Sequence, residues 1–327
     1  MTLSGRALAL AVTLACLGAS LPADAQPTKV PRIGLLESGA LAGRTPLWDA
    51  FRQAMRELGY VEGQTVAFEA RGADGRSDRL PALATELIRL KVDVIVTGGA
   101  AAALAAKRAT STVPIVMASG NPLEMGLVTS LARPGGNLTG IQTLSVALSA
   151  KRLEMARDVV TGTTRVAILG DSGSPASVSG VAETQAAAQS LGVRLHAVSV
   201  QTPGELDGAL SAIARTNPSV LIVTPSPMFF GERQRLAQLA LKNRLATVFG
   251  SPEYAEAGGL IAYGADLADG FRQAPIFVDK ILKGARPGDL PIAQATKIKL
   301  VLNLKTAKAL GLTIPTPVLA RADELIE

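Results

Sequence analysis

The sequence predicts an α/β protein of two doubly wound, parallel-sheet lobes with a ligand cleft between them. Three observations carry this. After Pro27, short β-branched runs alternate with amphipathic helical stretches, the rhythm of parallel sheets covered on both faces. The rhythm breaks at a Gly/Pro cluster, RPGGN at 133–137, and then restarts in the same element order. The tail that follows holds too few elements for a third domain, so it is expected to return and complete both sheets, crossing between lobes several times.

The first unit opens with a strand over 31–37 (PRIGLLE) and a helix over 47–58 (LWDAFRQAMREL), whose apolar residues fall on one face. A second strand over 65–71 and a helix over 79–90 follow. Residues 92–97 (VDVIVT) form a near-continuous β-branched run, as in a strand buried on both faces. Gly98-Gly99 then turns the chain into an Ala-rich helix over 100–108, and 113–118 (VPIVMA) is the next buried strand. A short strand over 138–142 closes this unit.

The second unit repeats the order without repeating the sequence. Helices are expected over 151–160, 182–191, 204–215 and 232–243. Strands are expected over 165–169 (RVAIL), 193–200 (VRLHAVSV), 219–224 (SVLIVT) and 246–249. The tail holds a strand over 260–263, a long helix over 267–282, a strand over 299–303 and a short helix over 304–310. The expected division is 30–142 with about 264–290 for the first lobe, and 143–263 with about 291–327 for the second.

Doubly wound sheets bind ligands beyond the carboxyl ends of their strands, so candidate contacts are read from strand ends. In the first lobe these are Ser38, then Gly98, Gly99 and Ala100, where a helix start offers backbone donors to an anion. Ser119 and Asn121 follow the next strand, and Asn121 equally suits a helix cap before Pro122. In the second lobe Asp171 and Ser172 follow RVAIL, and Ser226 follows SVLIVT. Phe229, with Phe230 beside it, is expected to wall an apolar pocket or to anchor the next helix. Glu253 is a candidate acceptor for an ammonium, beside Tyr254. Tyr263 and Asp266 are expected at a lobe crossing.

Composition narrows the function. Apolar residues make up 48% of the chain and aromatics 3%, so a large core is built from Ala, Val, Leu and Ile. The single cysteine is Cys16 and the single histidine is His196, too few for a zinc site, and no cofactor is expected. The net charge is +6, but basic residues are interleaved with acidic ones and form no stripe with aromatics, so no nucleic-acid partner is expected. GDSGS at 170–174 resembles a serine-nucleophile segment, yet His196 lies inside a strand and reads as a packed or edge residue rather than a base. No G-x-x-x-x-G-K-[ST] is present, so the chain is not an ATP-hydrolysing subunit. The first 25 residues read as a secretory signal peptide: Arg6, an apolar core over 7–17, and a small-x-small site at Ala23-Asp24-Ala25. The apolar run is too short for a span of roughly 20 residues. A periplasmic protein beginning near Gln26 is expected, without membrane insertion.

Several segments carry a family resemblance: SLARPGGNLTG at 130–140, LSAKRLE at 148–154, EAGGL at 256–260, YGAD at 263–266, VDKILKG at 278–284 and NLKTAKALG at 303–311. Together they resemble the ABC-transporter substrate-binding proteins of the tryptophan/tyrosine type. The resemblance implies a type I periplasmic binding protein fold with a ligand in the interlobe cleft. It implies a non-enzymatic, monomeric protein that delivers a small molecule, an amino acid or related organic solute, to an ABC permease and its ATPase subunit. A clam of this kind also serves as a ligand-sensing module feeding a membrane receptor, which is the alternative reading.

Overall fold

The computed structural model describes residues 30–295 and 297–327. The signal peptide, Cys16 and the expected cleavage site lie outside the described residues.

Two sheets organise the chain from Pro31 to Glu327. The first runs in the order β11-β5-β4-β3-β1-β2, with β1 Arg32–Glu37, β2 Ala67–Gly72, β3 Val94–Gly98, β4 Ile115–Ser119, β5 Leu138–Gln142 and β11 Ala293–Gln294. Helices α2 (Leu80–Arg89) and α3 (Ala100–Ala109) cover one face. There Leu80, Ala84, Leu87 and the alanines of α3 meet Leu36, Ile95, Ile115 and Met117. Helices α1 (Thr45–Glu57) and α10 (Leu267–Leu282) cover the other. Leu47, Trp48, Phe51 and Met55 recur on one stripe of α1 and bury against Ile33, Leu35, Val94 and Val96. Neighbouring strand residues feed opposite faces, as the sheet period of two requires.

The second sheet runs β13-β12-β10-β9-β8-β6-β7. Its strands are β6 Arg165–Asp171, β7 Arg194–Val200, β8 Val220–Val223, β9 Thr247–Phe249, β10 Ile261–Ala265, β12 Ile298–Asn303 and β13 Glu324–Ile326. Helices α4 (Ser149–Val159), α5 (Pro175–Ser190) and α11 (Leu304–Leu310) pack on one face. Helices α6 (Leu206–Arg215) and α8 (Arg233–Lys242) pack on the other. The pairs are parallel except β10 with β12, which is antiparallel.

Strands β2-β1-β3-β4-β5 and β7-β6-β8-β9-β10 follow the same winding order. Each therefore reverses at one switch point, between β1 and β3 in one sheet and between β6 and β8 in the other, where a ligand crevice opens. The chain passes between sheets after β5, after β10 and after β11. β11 pairs with β5, so the chain stays on the first sheet to Gln294, slightly beyond the boundary expected near 290.

Three further departures have local causes. α5 starts at Pro175, seven residues before the expected 182, because Ser174 caps it and Pro175 opens it over a stretch too polar to show a stripe. The expected 232–243 helix is preceded by a separate turn, α7 (Pro227–Gly231), capped by Ser226. Another short helix, α9 (Pro252–Glu256), follows β9. His196, expected as a packed or an edge residue, is exposed on the edge strand β7.

Candidate ligand-binding site

The two switch points face each other across a cavity of about 650 Å³ counted out to its open mouth. The first lobe contributes Arg44, Gly99, Ala100, Ser119 and Gly120. The second contributes Ser174, Ala176, Pro225, Ser226, Pro227, Gly250, Ser251 and Tyr254. The crossings contribute Thr143, Ser145, Ala265 and Leu267. The lobes also touch directly: Arg233 Nη1 donates to the Gly43 carbonyl at 3.1 Å, and Ser77 Oγ donates to the Gly173 carbonyl at 2.6 Å.

Arg44 is the only charged side chain in the cavity wall among the described residues. It is 2% exposed. Its Nε donates to Glu37 Oε2 at 2.9 Å, and no other side-chain hydrogen bond of Arg44 occurs among the described residues. Glu37 is fully buried at the end of β1 and also accepts from Trp48 Nε1 at 3.0 Å and Gly39 N at 3.0 Å. Burial pushes the Glu37 carboxyl above its ordinary range, while Arg44 and the Gly39 and Trp48 hydrogen bonds pull it down. The Arg44 guanidinium lies 5.0 Å from the Phe230 ring centre and 5.5 Å from that of Phe271, one ring from each lobe. Such cation–π contacts stabilise a buried cation by about 0.5–2 kcal/mol each.

Gly98 makes this arrangement sterically possible. A Cβ there would overlap Glu37 Oε2 and lie 3.0 Å from the Trp48 ring. Gly99 then turns into α3 with φ +117°, a conformation that strongly favours glycine. The starts of α3 and α5 both border the cavity, so two positive helix ends add to the Arg44 charge.

Behind the wall, Arg152 ties the crossings together. It is 1% exposed, donating Nη1 to the Ser145 carbonyl at 2.7 Å and Nε to the Tyr263 carbonyl at 2.9 Å. Its Nη2 is buried without a partner, and burial pushes its pKa down to about 10. Tyr254 stacks on Phe249 at 4.6 Å, and its burial holds the phenol well above its ordinary value.

The structure divides the residues read from the sequence. Gly99, Ala100, Ser119 and Ser226 line the cavity. Ser38 and Asp171 border a small adjoining pocket instead. Ser38 Oγ accepts from Ala102 N at 3.1 Å, and Asp171 accepts from Gly173 N and from Ser226 Oγ. Gly98 sits one step behind the wall, against Glu37. Asn121 is buried within hydrogen-bond reach of Ser145 Oγ at 3.3 Å. Ser172 turns outward to the Val200 carbonyl. Phe229 is fully buried in the core rather than walling the pocket, because α7 rotates it toward the sheet. Tyr263 packs on the second sheet's core. Asp266 accepts from Asp269 N at 3.0 Å as the cap of α10 and pairs with Arg272 at 3.1 Å, which leaves it no part in the cavity wall. Glu253 also lies off the wall, its oxygens buried and unpartnered; the Ser251 hydroxyl beside it falls short of hydrogen-bond geometry. Burial pushes its carboxyl up.

Sequence reading missed Arg44, Thr143, Ser145, Ser174 and Ser251. A usable signal existed for two of them. Ser174-Pro175, Ser226-Pro227 and Ser251-Pro252 each follow a strand of the second sheet and start a helix, and all three serines line the cavity. Arg44 carried no such signal, since it lies in a short 3-10 turn, Ala42–Arg44, well after its strand.

Comparison with known proteins agrees with this architecture. The family model for "ABC transporter substrate binding protein" matches residues 42–326. A tyrosine-binding protein of Clostridioides difficile is 24% identical over 264 residues, covering 80% of this chain and 75% of that one. A conserved domain protein of Vibrio cholerae superposes with TM-score 0.84 at 24% identity, covering 91% of this chain and 100% of the other. An ABC domain from Streptococcus pneumonia in complex with L-Trp superposes with TM-score 0.82 at 23% identity, covering 90% and 99%.

Proposed function

The chain belongs to the ABC transporter substrate-binding protein family, and from that premise we propose that it captures a small carboxylate-bearing solute, an amino acid or related organic acid, between its two lobes. The observation that carries this reading is the cavity at the facing switch points, with one buried cation in its wall. Its hydroxyls from Ser119, Thr143, Ser145 and Ser174 suit the polar part of such a solute. Pro225, Pro227, Tyr254 and Leu267 suit an apolar body. The C. difficile relative is described as tyrosine-binding and the S. pneumonia domain holds L-Trp, which favours the amino-acid class.

The loaded protein hands its solute to a permease powered by a separate ATPase. It works as a monomer in the periplasm, to which a signal peptide cleaved near Ala25 would export it. Among the described residues no helix is long and apolar enough to cross a membrane. The crossings after β5, β10 and β11 serve as the hinge, with Arg152 clamping the first two.

Isothermal titration of the purified protein against amino acids and small organic acids tests this. One-to-one binding with a fall in radius of gyration by small-angle scattering is expected. A protein that binds no small solute from a broad panel, at any concentration up to millimolar, refutes the reading.

A further inference from the structure

We propose that Arg44 binds the solute's carboxylate and that no carboxylate of the protein binds a solute ammonium, so the site reads the anion alone. This rests on the cavity being the solute site. Arg44 is nearly fully buried and lines the cavity, and its terminal nitrogens make no hydrogen bond among the described residues. Glu37 fixes the Nε edge, and the Phe230 and Phe271 rings hold the plane, so the outer edge of the fork is presented to the cavity already oriented. A planar fork of this kind matches a carboxylate through two parallel hydrogen bonds.

The ammonium half of the argument comes from accounting for acids. Among the described residues the cavity wall contains no Asp or Glu. Four carboxylates adjoin wall residues by hydrogen bond or in sequence, and each is committed or shielded. Glu37 serves Arg44, Trp48 and Gly39. Asp171 serves Gly173 and Ser226. Asp266 caps α10 and pairs with Arg272. Glu253 has both oxygens closed off from solvent. A solute ammonium would therefore enter a site already biased toward anions by Arg44 and two helix starts, and would find only neutral oxygens.

Matched ligands test both halves on the unmodified protein. Phenylalanine, 3-phenylpropanoate and 3-phenylpropanamide share one body and differ in ammonium and carboxylate; tyrosine and 3-(4-hydroxyphenyl)propanoate form a second pair. The expected result is that each propanoate binds at least as tightly as its amino acid, and that the amide binds about tenfold or more weaker than the acid. An amide equal to the acid overturns the role of Arg44. An amino acid tenfold tighter than its propanoate overturns the ammonium half, and leaves the transport reading intact. If none of these probes binds while a sugar or nucleoside does, the inference falls and the transport reading survives; if nothing binds, both fall.

Arg44→Lys gives an independent reading, since it keeps a cation beside Glu37 and loses the fork. It should weaken the propanoate by about tenfold and leave the weak amide affinity unchanged. An equal loss for acid and amide would mean that Arg44 only supports the wall.

Discussion

Replacing Gly98 by alanine adds one methyl group and should dismantle the anion site from behind. The new Cβ would overlap Glu37 Oε2, sit 2.9 Å from the Glu37 carboxyl carbon and press on Trp48 at 3.0 Å. None of these neighbours can yield cheaply. Glu37 is held by three hydrogen bonds, and Trp48 is wedged edge-on between Phe51 and Phe271 at 5.8 and 4.9 Å. If the carboxylate swings away, Arg44 is left as a buried cation without its partner. Breaking a buried pair in this way costs about 3–5 kcal/mol. For a domain of this size that corresponds to a fall in melting temperature of roughly 6–20 °C, at about 2–4 °C per kcal/mol. Differential scanning calorimetry on Gly98→Ala, Glu37→Ala and the double variant measures it. Because Glu37→Ala removes the carboxylate the methyl overlaps and leaves only the tight Trp48 contact, Gly98→Ala should cost less in that background by about 0.5–3 kcal/mol, a coupling typical of residues in contact. A melting point within 2 °C of the parent, or an equal cost in both backgrounds, would refute this account of why residue 98 is glycine.

Three more expectations follow from the same geometry. Glu253 is shielded and unpaired, so its folded pKa lies above the ordinary 4.5. The stability tied to its neutral form is complete below the unfolded value and is lost as pH rises through the folded one. Glu253→Gln should therefore match the parent in melting temperature at about pH 4 and exceed it at pH 7–8; a difference that does not change with pH contradicts this. Asp266→Ala removes the cap of α10 and should cost about 0.5–2 kcal/mol by urea unfolding while leaving solute affinity within twofold; a large affinity loss would put Asp266 in the binding machinery after all. Phe230→Leu keeps an apolar side chain but removes the ring that the second lobe lays over Arg44. It should weaken the best-binding carboxylate by roughly 2- to 30-fold, the equivalent of one cation–π contact, and unchanged affinity would show that the ring does not support the cation.

Much of the fold was legible because burial on two faces writes itself into composition. VDVIVT, VPIVMA, RVAIL and SVLIVT are predominantly apolar, and β3, β4, β6 and β8 lie within or close to them. The long helix α10 was expected at its observed bounds, since its apolar stripe spans four turns. α7 and α9 were missed because five-residue helices carry no period; only their Ser-Pro starts betray them. The site was harder for a different reason. Strand-end logic finds loops that reach the crevice, and it found Gly99, Ala100, Ser119 and Ser226. It does not tell which side chain in a loop turns inward, so it favoured the acids Glu253 and Asp266, which the fold spends on burial and capping. Arg44 was invisible because its position depends on Glu37 seven residues earlier and on Phe271, more than two hundred residues later.

That long separation bears on how binding is reported to a transporter. A ligand shifts an open–closed equilibrium only by the difference in its affinity for the two states. Arg44, Glu37, Trp48 and Phe271 all belong to the first lobe and are joined by contacts within it. Phe230, Ser226, Ser251 and Tyr254 belong to the second, and they meet the cation only across the seam that Arg233 and Gly43 close. An anion can therefore dock first on a fork that Glu37 and Phe271 hold from within the first lobe. It then gains the second-lobe hydroxyls, and the ring over the guanidinium, only as the lobes come together. On the proposed function, the second lobe would supply the affinity difference that drives closure, and the first the selection for charge. Arg44 itself lies in the 3-10 turn that borders this seam, and its bond to Glu37 at the end of β1 ties the cation to the first sheet: if Arg44 were ordered only on closure, the solute would have to offset its desolvation at the moment of binding.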